Sequence, residues 1–275
     1  MVKGVVCKTT IHRFESGPRL HQIFTTSKNL MALGERGEAT SRAASAVPNI
    51  TMPAHRKELR IEGPHLWYLV GLITTDGCLA KDGRRIDITS ADKQFLAKII
   101  ISMGLVNKIG IKNKGNVNHA YRIQIANKNL YEFLLAVGLL PNKSLKLKRL
   151  SIPKEFFNDF LRGVIDGDGC LRRWIHPSNN HEQWSLRIFS GSKVFIKWLE
   201  SRIEESTGCK GRMHSDFGPH RIHQLYTLKY GKLAAAGILK NCYYKGAFGL
   251  ERKSRVAHNC CIAPRGWSRS KTVIN

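Results

Sequence analysis

The chain has 275 residues, 42% of them hydrophobic, and its 45 Lys plus Arg against 20 Asp plus Glu leave a formal net charge of +25. That length allows one large or two small domains with real cores, and that charge favours phosphate-rich partners or anionic lipid. The longest apolar runs, Leu69–Ile73 and Phe133–Leu140, are too short to cross a bilayer, and no basic start with an apolar signal region is present, so nucleic acid is the expected partner and no membrane role is expected.

Residues 1–62 carry ten basic and five acidic residues, and Gly34–Val47 has no sustained apolar period. This segment is expected to be a largely disordered extension, with a nucleic-acid-binding arm as the alternative. The first organised half is read as 63–150. It contains a helix over His65–Thr75, a strand over Arg84–Thr89 and a helix over Ala91–Met103. A hairpin from Lys108–Lys114 and His119–Ala126 and a helix over Lys128–Val137 follow. In the first strand Ile86 and Ile88 alternate with Arg85 and Asp87, so one face is apolar and the other polar.

The second half, 151–256, repeats that order. Pro153 marks a helix start, with Phe156, Phe157, Phe160 and Leu161 at helical spacing within Lys154–Asp166. Strands around Leu171–Ile175 and Trp184–Phe189, a helix over Val194–Glu205, a hairpin of Lys210–Ser215 with Arg221–Lys229, and a helix over Lys232–Leu239 follow. Residues 257–275 are read as a tail. Internal echoes support a duplication: Ser90-Ala-Asp-Lys-Gln-Phe-Leu against Ser190-Gly-Ser-Lys-Val-Phe-Ile. The expected class is α+β, two pseudo-symmetric αββαββα halves with antiparallel sheets forming a saddle.

Each half opens with an apolar, small-residue helix ending on Asp-Gly: Leu69-Val-Gly-Leu-Ile-Thr-Thr-Asp76-Gly77 and Leu161-Arg-Gly-Val-Ile-Asp-Gly-Asp168-Gly169. Gly71 and Gly163 interrupt the apolar stripes at matching places. A glycine inside a helix costs about 1 kcal/mol relative to alanine, and its return is close approach of another backbone. The two helices are therefore expected to pack against each other and to bring Asp76 and Asp168 together at adjacent C-termini. An acid is disfavoured at that end of the helix dipole, and a divalent cation relieves both penalties. Gly77 and Gly169 fit a left-handed position after each helix. Cys78 and Cys170 are read as small buried packing residues. The seven cysteines are odd in number and form no C-x-x-C pair, which argues against a disulfide framework or zinc site and for an intracellular location.

These two segments resemble the LAGLIDADG motifs of homing endonucleases, in the single-chain form with two copies. The resemblance covers about residues 63–256. Thr74 departs from the family pattern at a position that does not bind metal. The resemblance implies a monomer with internal pseudo-twofold symmetry that cuts both strands of a long double-stranded DNA site, in bacterial cytoplasm or an organelle. It implies two or more Mg²⁺ ions held by Asp76 and Asp168, with the backbone carbonyls of Thr75 and Gly167 nearby, and a pocket shaped by Lys143 and Lys253. Strand parity offers Arg85, Asp87, Lys108, Lys112, Lys114, Arg122, Gln124, Arg187, Lys210, Arg212 and His214 as the DNA-facing set.

There are two alternatives, the first of the same fold. An intron maturase, or another non-cleaving nucleic-acid-binding protein, would bind intron RNA and need neither Asp. An intein origin is suggested by Val256-Ala-His-Asn-Cys260, which resembles the end of a self-splicing element.

Overall fold

The computed structural model describes residues 62–112, 120–216 and 223–263, all within one unit, Pro48–Asn275. The expected extension (1–62, of which only Glu62 is described), Lys114 and most of the tail lie outside these residues.

Among the described residues, six helices and eight strands form two sets in the same order, and a seventh helix follows. The first half is α1 (Gly63–Asp76), β1 (Gly77–Leu79), β2 (Arg85–Ser90), α2 (Lys93–Ser102), β3 (Ile109–Ile111), β4 (Tyr121–Ala126) and α3 (Lys128–Val137). The second is α4 (Phe157–Asp168), β5 (Gly169–Ile175), β6 (Glu182–Ser190), α5 (Lys193–Thr207), β7 (Arg212–Asp216), β8 (Leu225–Gly231) and α6 (Lys232–Cys242), to which α7 (Glu251–Ile262) is added. Each half has one antiparallel four-stranded sheet, in the orders β1-β2-β4-β3 and β5-β6-β8-β7. The fold is therefore α+β with the expected αββαββα halves.

Local chemistry explains the repeated turns. Asp92 caps α2 by accepting from the Phe95 amide at 2.9 Å, and Ser192 caps α5 by accepting from Phe195 at 3.2 Å. Ser90 and Ser190 each accept from the amide two residues on, at 3.1 Å, which shapes the strand-to-helix turn in both halves. Asn127 caps α3, and Gly138 ends it in the left-handed conformation with φ 108°.

Ile86, Ile88, Ile123 and Ile125 in the first sheet, and Leu186, Ile188, Leu228 and Tyr230 in the second, are buried on the helix-covered faces. The opposite faces are mostly polar, carrying Asp87, Thr89, Arg122 and Gln124 in the first sheet and Arg187, Thr227, Lys229, Arg212 and His214 beside Phe189 in the second. The halves meet along α1 and α4. A Cβ on Gly71 would overlap the Phe160 carbonyl oxygen and lie 3.0 Å from the Val164 nitrogen; one on Gly163 would overlap the Tyr68 carbonyl oxygen and lie 2.7 Å from the Leu72 nitrogen. The helices touch backbone to backbone, as the paired glycines predict.

Several sequence expectations are corrected. Gly77 (φ −93°, ψ 163°) and Gly169 (φ −76°, ψ 139°) are extended, not left-handed, because a strand starts at once. Their lack of a side chain serves space: a Cβ would stand 2.6 Å from the Ile73 Cα in the first half and 2.7 Å from the Ile165 Cα in the second. That strand alternation turns Cys78 outward, where it is exposed, and leaves Cys170 half-buried. Strand β1 was not expected at all. Helix α4 begins at Phe157, after a 3-10 turn over Lys154–Phe156, and runs on to Asp168.

Candidate active site

Helix α1 ends at Asp76 and helix α4 at Asp168. The two ends abut: a Cβ on Gly167 would overlap the Thr75 hydroxyl and come within 3.3 Å of Asp76 Oδ2. Asp76 is open to solvent on one side, Asp168 and Gly167 partly so. Enclosure by protein on the remaining sides and the negative charge of Asp168 push the Asp76 carboxyl up to about 7. Burial also raises Asp168. The Thr75 hydroxyl donates to the Leu72 carbonyl at 3.0 Å, which keeps that side chain on its own helix.

Two buried lysines offset this charge. Lys143 Nζ donates to the Gly77 carbonyl. Lys253 Nζ donates to the carbonyls of Ile165 at 2.6 Å, Asp166 at 2.7 Å and Gly167 at 3.1 Å. Those three oxygens belong to the last turn of α4, where helix donors run out; only the Ile165 carbonyl also accepts from a backbone amide, that of the capping Gly169. An ammonium group has three N–H donors, so Lys253 has none left for a substrate in this arrangement. Burial lowers both lysines' pKa, while the charges of Asp76 and Asp168 act in the opposite direction.

Behind the second acid lies a buried polar network that the sequence did not reveal. Asp166 accepts from Tyr68 OH (2.8 Å), Tyr243 OH (2.7 Å) and the Leu250 amide (2.7 Å). Arg162, with a side chain only 1% exposed, pairs with Asp159 at 2.8 Å. It also donates to the carbonyls of Phe248 and Cys242, and its guanidinium sits 5.2 Å from the ring centres of Tyr68 and Tyr244. Burial raises Asp166 despite its three donors. This network ties the loop before α7, and hence Lys253, to the end of α4. In the first half Val70 stands where Arg162 does and Thr74 where Asp166 does, and among the described residues no comparable network forms there.

Strand parity places most of the remaining sequence-nominated residues on the polar sheet faces. In the first sheet Asp87 pairs across with Gln124 and Cys78, and Thr89 with Arg122. Gln124 donates to Asp87 at 2.9 Å, Arg122 lies 3.9 Å from the same carboxylate, and Lys112 donates to Thr89 at 3.3 Å. Lys108 is exposed just before β3. Arg85 is drawn aside into an ion pair with Asp82 at 2.5 Å. In the second sheet Arg187, Arg212 and His214 face outward. Lys210 does not join them: β7 starts at Arg212, and Lys210 pairs with Glu204 of α5 at 3.2 Å. Lys229 was missed. The inward positions of Leu228 and Tyr230 were the available signal, since alternation puts Lys229 on the outer face.

The segment Val256–Cys260 lies inside α7, which also crosses the expected boundary at 256. Lys253, Ala257 and Cys260 are its buried positions, at helical spacing, and burial pushes the Cys260 thiol up to about 11. Helix periodicity thus accounts for the residues that resembled a splicing terminus, and the thiol is poorly suited to act as a nucleophile.

Residues 63–138 match the family model of the LAGLIDADG-like domain. The match covers α1 through α3, and the second half repeats the element order of the matched region. Comparison with curated proteins finds no match. Among solved structures, full-length DUF199/WhiA from Thermatoga maritima is 13% identical with a TM-score of 0.46, covering 72% of this chain and 59% of that one. I-DmoI in complex with DNA and Ca is 16% identical with a TM-score of 0.46, covering 71% and 97%. Mesophilic variants from the homing endonuclease I-DmoI are 18% identical with a TM-score of 0.44, covering 68% and 94%. Among the described residues no helix is long and apolar enough to cross a membrane.

The site suits hard divalent cations. Two carboxylates of raised pKa stand at the negative ends of two helices, and both offer hard oxygen ligands. Among the described residues no cluster of three or more His, Cys, Asp or Glu could hold a metal. Two carboxylates leave most of a coordination sphere to carbonyls, water and substrate phosphate, which is how Mg²⁺ is commonly held.

Proposed function

We propose that this chain is a site-specific, divalent-metal-dependent endonuclease of double-stranded DNA, acting as a monomer. One observation carries the reading: Asp76 and Asp168 come from two sequence-equivalent helices packed backbone to backbone, and emerge beside the polar faces of two antiparallel sheets. Asp76 and Asp168 would hold the cations, with the Thr75 and Gly167 carbonyls beside them. A cation bound there supplies Lewis-acid polarisation of the phosphodiester and lowers the pKa of water.

The chain's own residues have distinct duties. Gly71 and Gly163 set the separation of the acids. Lys253 holds the last turn of α4 and offsets the charge of both acids, so it is a positioning residue. Lys143 does the same beside Gly77. The outward sheet residues hold the duplex in the major groove, which admits a β-ribbon.

The test is cleavage of duplexes selected for binding, with Mg²⁺, by wild type and by Asp76→Asn and Asp168→Asn. Each substitution is expected to abolish cleavage and keep binding. Normal cutting by both variants refutes the metal assignment. Binding of duplex with no cutting by wild type supports a non-cleaving relative, and preference for intron RNA over duplex supports a maturase.

A further inference from the structure

The two sheets present different chemistry at the central positions of equivalent rows, while the edge position holds a cation in each, Lys108 and Arg212. The row next to Asp76 runs Cys78–Asp87–Gln124, an acceptor and an amide already bonded to each other at 2.9 Å. The row next to Asp168 runs Cys170–Arg187–Lys229–Arg212, three cations side by side. None of the three forms an ion pair or hydrogen bond among the described residues, although Arg187 is half-buried and its Nε is wholly enclosed. Like charges in adjacent cross-strand positions destabilise a sheet, so this row is held against its own repulsion. Acceptors from outside the chain would relieve it.

Position within the sheet separates the three. Arg187 and Lys229 are on the central strands β6 and β8, and Arg212 is on the edge strand β7. Strands lie about 4.8 Å apart, so the row spans about 10 Å, inside the roughly 12 Å width of a major groove. Central side chains then meet base edges, and the edge side chain meets a phosphate wall. Guanine is the base whose groove edge offers two acceptors, N7 and O6, and Arg and Lys are its readers.

We infer that Arg187 and Lys229 read guanine in the half-site lying on the second sheet, with Arg212 anchoring a phosphate, and that the equivalent position of the other half-site carries no guanine requirement. This rests on the duplex-binding part of the proposed function. It makes the target asymmetric beside the cut, whatever its outer sequence.

The test begins with wild-type full-length chain selecting from a random duplex pool in EDTA, followed by Mg²⁺ cleavage of the retained pool. The expected result is G·C enrichment on one side of the cut only. Arg187→Gln should switch one enriched position from guanine to adenine, because Gln pairs with adenine in the groove. Lys229→Ala should relax a neighbouring position, by roughly 5- to 150-fold in discrimination. Arg212→Ala should weaken binding to all sequences alike and reduce the salt slope by about 1. Equal preference in both halves, or salt-sensitive binding with no base preference on the second-sheet side, overturns the inference. The wild-type selection depends on no variant folding. Guanine enrichment without cleavage keeps the inference and refutes the nuclease reading; retention of no duplex refutes both.

Discussion

Replacing Gly163 with alanine puts two effects in direct opposition. On an exposed helix the change gains about 1 kcal/mol from propensity. Here the new methyl overlaps the Tyr68 carbonyl oxygen and stands 2.7 Å from the Leu72 nitrogen and 3.0 Å from the Gly71 carbonyl carbon. All three are backbone atoms, so no rotamer change makes room. Restoring a normal contact near 3.5–4.0 Å requires α1 and α4 to separate by about 1 Å or more. Overpacking of this kind costs about 1–3 kcal/mol and sometimes more, and a rigid neighbour places this case at the upper end. The net loss is about 2–3 kcal/mol, or a fall of about 5–10 °C in Tm for a unit of this size. The same separation moves Asp76 away from Asp168, and a 1 Å misplacement can reduce a rate by about 100-fold. Thermal melting followed by circular dichroism, with cleavage rates on a selected duplex, checks both. An unchanged or higher Tm refutes the backbone-to-backbone packing and everything built on it.

Arg162→Met leaves Asp159 buried without its partner, which costs about 3–5 kcal/mol. Urea unfolding should show this loss, and adding Asp159→Asn should recover part of it; a neutral single variant refutes the buried pair. The Asp76 carboxyl is raised in the folded state to about 7, so the folded chain keeps a proton that the unfolded chain gives up. The stability that this proton supplies is complete below the unfolded value and is lost as pH rises from about 4 to about 7. Relative to Asp76→Asn, metal-free wild type should therefore lose stability across that window and level off above it. Mg²⁺ should restore much of the difference at pH 8. A difference in Tm that stays flat with pH contradicts the assignment.

How far the sequence could be read depended on the range of the interaction. Helix α3 was legible to the residue, because Asn127 and Gly138 are local punctuation at its two ends. The doubled αββαββα order followed from alternation and from the Ser90/Ser190 turns. The meeting of Asp76 and Asp168 was legible because Gly71 and Gly163 have no other reason to interrupt an apolar stripe. Three-residue β1 was too short to show alternation, and missing it also misplaced Cys78. Helix α7 escaped notice because it has no apolar stripe: Lys253 itself is one of its three buried residues. Nothing local sets Arg162 apart from the rest of the 45 Lys and Arg residues, and partners some 80 residues away make it a core residue. Alternation between Leu228 and Tyr230 could have found Lys229, but its place beside Arg187 and Arg212 needed the register between strands, which no single strand reveals.

The Arg162 network makes the two halves non-interchangeable. Arg162 stacks on the ring of Tyr68, and Asp166 accepts from that residue's hydroxyl. Both contacts come from the opposite half, and the residue equivalent to Tyr68 in the second half is Phe160. A symmetric protein made from two second halves would present Phe160 in place of Tyr68, leaving each Asp166 one donor short. Two first halves would instead join at Val70 and Thr74, neither of which carries a charge to be met across the seam. The duplication has diverged into a host and a guest, and swapping either for a copy of the other demands redesign of the shared seam.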